Sequence, residues 1–108
     1  MPAVATVVSK GKKTIKLTAE RWFHITESHD YMAGYFYEVL ETVSNPDCVV
    51  AGKKEELLAV RLYEKTHIGP KHLIVIYRER DAEGFIITAF MTSKVDNVLR
   101  RKVLWRRQ

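Results

Sequence analysis

The sequence predicts an α+β domain, with two N-terminal helices packed on one face of a roughly four-stranded antiparallel sheet. Three observations carry this expectation. Residues 31–43 repeat apolar side chains at helical spacing, residues 57–65 alternate with period two, and residues 72–92 read as two strands about a tight break. The helical signals precede the strand signals, which favours helices gathered on one side of an antiparallel sheet.

The strand pair is the strongest of these. Two runs rich in Val, Ile, Phe, Tyr and Thr flank Arg80-Asp81-Ala82-Glu83-Gly84, a charged break whose glycine suits the positive φ of a hairpin loop. In the second arm, Thr88 and Thr92 are expected on one face with Ile86 and Phe90. Before the pair, Leu57 to Lys65 places Leu58, Val60 and Leu62 on one face and Arg61, Tyr63 and Lys65 on the other. The apolar set is expected to meet the helices, leaving Arg61, Tyr63 and Thr88 on an open face. Cys48 to Ala51 reads as a further short strand.

For the helices, Thr18 is the expected N-cap of a segment from Ala19 to about Ser28, with Glu20 in the first turn where the helix dipole favours an acid. A second helix from Tyr31 to Val43 aligns Met32, Tyr35, Phe36, Val39, Leu40 and Val43 on one stripe. It stops at Ser44-Asn45-Pro46, because the residue before proline is pushed out of the helical region. Residues 1–17 are expected to form an arm or small hairpin, 18–105 the core, and 106–108 a basic tail. Ser93 to Lys102 reads as a basic turn or short helix, and Val103-Leu104-Trp105 as a last strand.

The 108 residues suit one domain able to bury a core unaided. Cys48 is the single cysteine, so neither an internal disulfide nor a cysteine zinc cluster is available. No apolar run approaches the ~20 residues of a membrane span, and the lysines near the N-terminus follow the apolar residues, the reverse of a secretory signal. These features lead to the expectation of a cytoplasmic protein without membrane association. The net charge is +5. The basic residues crowd both ends, with Lys10, Lys12, Lys13 and Lys16 at one and Lys94, Arg100, Arg101, Lys102, Arg106 and Arg107 at the other. That distribution suits a polyanion such as RNA.

No phosphate-binding glycine loop, nucleophile elbow or zinc-protease motif is present. His24 and His29 lie about 140° apart around a helix, a poor geometry for sharing a metal ion, so no metal and no cofactor are expected. Histidine can move protons near neutral pH, an arginine fork matches two phosphate oxygens, and Tyr and Thr hydroxyls can orient a phosphate. These are the parts of a metal-independent RNA cleavage site. Each also has a plain structural use: His29 could end a helix, Arg61 could pair with a glutamate, and Thr88 could be an ordinary strand residue.

Arg21-Trp22-Phe23-His24-Ile25 with His29, a tyrosine-bearing helix ending in Asn45-Pro46-Asp47, Arg61 and Tyr63 on a strand, Leu73-Ile74-Val75-Ile76, then Ile87-Thr88-Ala89-Phe90 and a late Trp105 together resemble the phage-associated nucleases grouped with barnase, EndoU, colicin and RelE toxins. The chain departs from that pattern at Asp30, where proline is expected. The resemblance implies a metal-independent endoribonuclease of toxin or effector type, cleaving by 2′-hydroxyl attack. It carries His29, Arg61, Tyr63, Thr88 and His24 as catalytic positions and brings in an inhibitory antitoxin or immunity protein as a partner. Lys65, Lys71, His72, Arg78, Arg100, Arg101 and Lys102 are the expected RNA contacts. Two other readings remain: a non-catalytic nucleic-acid or protein-binding module, and a homodimer centred on Tyr63, Ile86 and Phe90.

Overall fold

A computed structural model describes residues 3–81 and 83–108. The fold is α+β, but its sheet has seven strands and is mixed. The order across the sheet is β1-β2-β6-β5-β4-β3-β7. In chain order these are β1 (Ala3–Val8), β2 (Thr14–Thr18), β3 (Cys48–Ala51), β4 (Leu57–Tyr63), β5 (Lys71–Arg78), β6 (Gly84–Thr92) and β7 (Val103–Arg106). The helices are α1 (Ala19–Ser28), α2 (Phe36–Ser44) and the one-turn α3 (Asp96–Leu99). The four-strand, two-helix expectation is therefore corrected. Strands β3 to β6 form the middle, while the terminal segments add β1 and β2 at one side and β7 at the other. A short parallel pairing of β2 with β6, Ile15 opposite Gly84 and Lys16 opposite Phe85, makes the sheet mixed.

Local chemistry explains the helices. The Thr18 hydroxyl accepts from the Arg21 amide at 3.1 Å and caps α1. The expected second helix divides: residues Asp30–Gly34 form a 3-10 turn, and α2 begins only at Phe36. Gly34 lies at the break, where its high backbone entropy disfavours continuation of a helix. Met32 and Val39 still reach the same core.

Two apolar layers lie on opposite faces of the sheet. On the first, α1 and α2 cover Ile15, Leu17, Ala59, Leu73, Val75, Tyr77, Ile86, Ala89 and Met91. On the second, Cys48, Val50, Leu58, Val60 and Ile74 pack with Val95, Val98 and Val103 from α3 and its flanks. The expected facing of β4 is thus reversed: Leu58 and Val60 turn away from α1 and α2, and Ala59, Arg61 and Tyr63 turn toward them. Both faces of the sheet carry an apolar layer, so the apolar set can be buried on either, and alternation marked the strand without choosing the side that α1 and α2 cover. A register shift near Tyr77 and Ile86 separates Ile86, on the first face, from Thr88, Phe90 and Thr92 on the second.

Gly84 is needed for close approach, not for the expected positive φ. A Cβ there would strike the Arg78 carbonyl and the Ile15 side chain. Gly69 is the glycine at positive φ, 88°, in the turn between β4 and β5.

Candidate functional site

A cleft of about 240 Å³ opens on the second face, lined by Asp47, Cys48, Val60, His72, Leu99 and Arg106. Strand pairing builds it. Cys48 lies opposite both Val60 of β4 and Arg106 of β7, and His72 lies opposite Leu62 and Thr92. Leu99, carried by α3, forms its outer wall.

Asp47 is spoken for. Its carboxylate accepts from the Leu62 amide at 2.8 Å and lies 3.6 Å from Arg107, which also donates to the Asn45 and Pro46 carbonyls. His72 and Arg106 have no side-chain hydrogen bond or ion pair among the described residues, so a cation and an imidazole remain available to a ligand. Burial pushes the Cys48 thiol pKa up, against the opposing pull of the Arg106 charge, and the nearby Asp47 adds to the rise. The thiol is therefore held protonated, as an uncharged part of the wall.

His29 ends α1, its amide bonded to the Ile25 carbonyl at 2.8 Å. Its ring lies beside Phe90, centroids 6.0 Å apart, and its Nδ1 is 3.4 Å from the Tyr31 hydroxyl. Tyr31 in turn bonds the backbone of Met91, donating to its carbonyl at 3.4 Å and accepting from its amide at 3.1 Å. This fixes His29 at the margin of β6 beyond its short pairing with β2. Thr88 shares the second face with Phe90 but lies four residues along the strand from Thr92, the partner of His72. Thr92 is occupied by a local turn, bonded to the Lys94 amide at 2.9 Å.

Arg61 and Tyr63 do not join this group. Arg61 Nη1 donates to the Asn45 carbonyl at 2.6 Å, and its Nε lies 3.7 Å from Glu41. Tyr63 donates to the Glu41 carboxylate at 2.6 Å. Burial first, and then the bond to Glu41, raise the Tyr63 pKa far above its ordinary value. Together these side chains tie β4 to the end of α2 on the first face. His24 is exposed on α1, edge-on to Phe23.

The expected RNA contacts are spread out. Lys65 is exposed after β4, and Lys71, opposite Tyr63, falls on the first face. Arg78 lies at the far end of β5, 4.0 Å from Glu56. Arg100, Arg101 and Lys102 are exposed between α3 and β7. His72 alone among them lines the cleft. Arg106 was legible only as part of a basic terminus; its place depends on β7 pairing with β3, which a four-residue strand does not announce. No group of three His, Cys, Asp or Glu side chains suited to a metal occurs among the described residues. Among the described residues, no helix is long and apolar enough to cross a membrane. Comparison of the chain with protein-family models, with curated proteins and with solved structures finds no match.

Proposed function

We propose that this domain binds RNA in the second-face cleft and cleaves it without a metal ion. The observation that supports this reading is the pairing of an available imidazole, His72, with an available guanidinium, Arg106, in one cleft beside the exposed cations of the C-terminal segment. In this mechanism His72 takes the proton of a ribose 2′-hydroxyl and the freed oxygen attacks the adjacent phosphorus. Arg106 balances the charge that grows on the phosphate oxygens. His29, across Phe90 and Thr92, supplies a proton to the departing 5′ oxygen, leaving a 2′,3′-cyclic phosphate. The reading keeps the reaction class that the sequence resemblance implies. It moves the phosphate clamp from Arg61 to Arg106 and gives Arg61 and Tyr63 a structural role. A cytoplasmic setting and an acidic inhibitory protein that covers the cleft both accord with it.

The test is cleavage of a labelled mixed-sequence RNA in excess EDTA by wild type, His72→Ala, Arg106→Ala and Arg61→Ala. Loss of rate in the first two variants, with folded Arg61→Ala still active, is the expected result. Salt-sensitive RNA binding without product would replace the nuclease with a binding module on the same basic surface. Full activity in His72→Ala would remove this site from consideration.

A further inference from the structure

The helical layer and the C-terminal segment carry opposite charge. Residues 19–44 hold five acids, Glu20, Glu27, Asp30, Glu38 and Glu41, and one base, Arg21. Arg61 and Tyr63 engage Glu41, whereas the other four acids have no ion pair among the described residues. On the second face, Leu99-Arg100-Arg101-Lys102 is exposed throughout. Its three cations likewise have no ion pair among the described residues, and Arg101 reaches the Ala51 carbonyl at 3.5 Å.

Both surfaces also expose apolar area. On α1, Glu20, Phe23 and Glu27 fall at i, i+3 and i+7, so one outward stripe places the Phe23 ring between two acids. Phe23 is 60% exposed, and Tyr37, near the start of α2, is 78% exposed. The half-buried rings of Trp22 and Phe36 connect the two helices. Trp22 meets Phe36 edge-on at 5.2 Å, and Phe36 meets Tyr37 edge-on at 5.4 Å. The aromatic surface is therefore continuous from α1 to α2, unlike the scattered single side chains of an ordinary surface. Leu99, 43% exposed, is the apolar counterpart beside the cations.

We infer that the acidic, aromatic helix face of one copy docks on residues 99–102 of a second copy. Charge selects this occupant: the helix face repels RNA, and the same chain carries a basic surface with an apolar anchor that complements it. The α1–α2 layer and α3 lie on opposite faces of the sheet, so one copy cannot join its own two surfaces. The contact is heterologous, and assembly can continue beyond two copies. The net charge of +5 opposes the approach of two copies. In about 0.15 M salt, however, charges act over roughly 8 Å, so the facing acids and cations outweigh distant like charges. Because Leu99 walls the second-face cleft, docking closes that cleft to RNA. That consequence rests on the proposed RNA site; the association itself does not.

Sedimentation velocity of the full chain without RNA tests it. The wild-type weight-average mass should climb above the 12.5 kDa of one chain, and past that of two, as concentration rises through a Kd on the order of 100 μM. Glu20→Lys with Glu27→Lys, and Arg100→Glu with Arg101→Glu, change exposed side chains and leave the fold intact. Each doubly reversed variant should remain a single copy. Mixed in equal amounts, the two should associate again, because the reversed helix of one meets the reversed segment of the other. Phe23→Ser should weaken wild-type association about tenfold through the lost aromatic contact. A wild-type chain that stays at one copy up to about 1 mM would overturn the inference and leave the acidic face to a basic partner of another kind. Association of either reversed variant by itself, or a mixture that stays at one copy, would also overturn it.

Discussion

The two faces of the sheet handle charged and polar side chains in opposite ways. On the first face, Arg61 donates to the Asn45 carbonyl and pairs with Glu41, and Tyr63 donates to Glu41, at the end of α2, with the Arg61 Nε left without a hydrogen bond. On the second, His72 and Arg106 line a cleft with no such partners among the described residues. A mutually bonded set mainly contributes stability, whereas unpartnered groups in a concave site are free to meet a ligand. An arginine on a strand is thus not informative by type; its partners decide its use.

The largest effect expected from breaking this contrast is on the first-face core. Leu73 is fully buried there, and Leu73→Ala should destabilise the domain by about 3 kcal/mol in urea unfolding, within the usual range for core leucines. Leu99, 43% exposed on α3, should cost under about 0.5 kcal/mol when changed to Ala, because little of its surface is removed from water. A smaller gap between these two variants would mean that the faces share one cooperative core of equal weight.

Next in size is the division of roles. His72→Ala should slow RNA cleavage at least about 100-fold, equivalent to ~2.7 kcal/mol of barrier, with the unfolding midpoint nearly unchanged. Arg61→Ala should do the reverse, lowering stability by about 1 kcal/mol while the folded protein keeps its rate. If Arg61→Ala abolishes cleavage at unchanged stability, the first face carries the chemistry after all.

The smallest effect is alkaline. Tyr63 and Tyr77, both on the first face, have folded pKa values raised chiefly by burial. Each raised value favours the protonated phenol in the folded state, so their contribution is fully present below about pH 10. It falls as pH rises from there toward the folded values, because the unfolded chain releases those protons first. Stability measured from pH 8 to 11 should be flat and then decline. Tyr63→Phe should soften the decline while removing the bond to Glu41, at a cost of about 1 kcal/mol near neutrality.

Much of the secondary structure was legible in the residues. Thr18 caps the helix that its side chain suggests, and the β5–β6 pair follows from its two β-branched runs. The histidine and basic-terminus signals pointed to groups that now line or flank the cleft. Facing was less legible: Leu58 and Val60 alternate with Ala59 and Arg61, and both sets can be buried when a sheet is covered on both sides. The assumption of one open face led to the wrong side for Arg61 and Tyr63.

By itself, the sequence determined the local elements, the α+β mixture and the basic ends, because propensity, capping and period act over a few neighbouring residues. Tertiary structure decided which short terminal strands joined the sheet, which face each β4 residue took, and that Arg106 of β7 and His72 of β5 line one cleft. These outcomes depend on pairings between residues far apart in the chain. Their energies are set by the partner as much as by the segment, so no local pattern contains them.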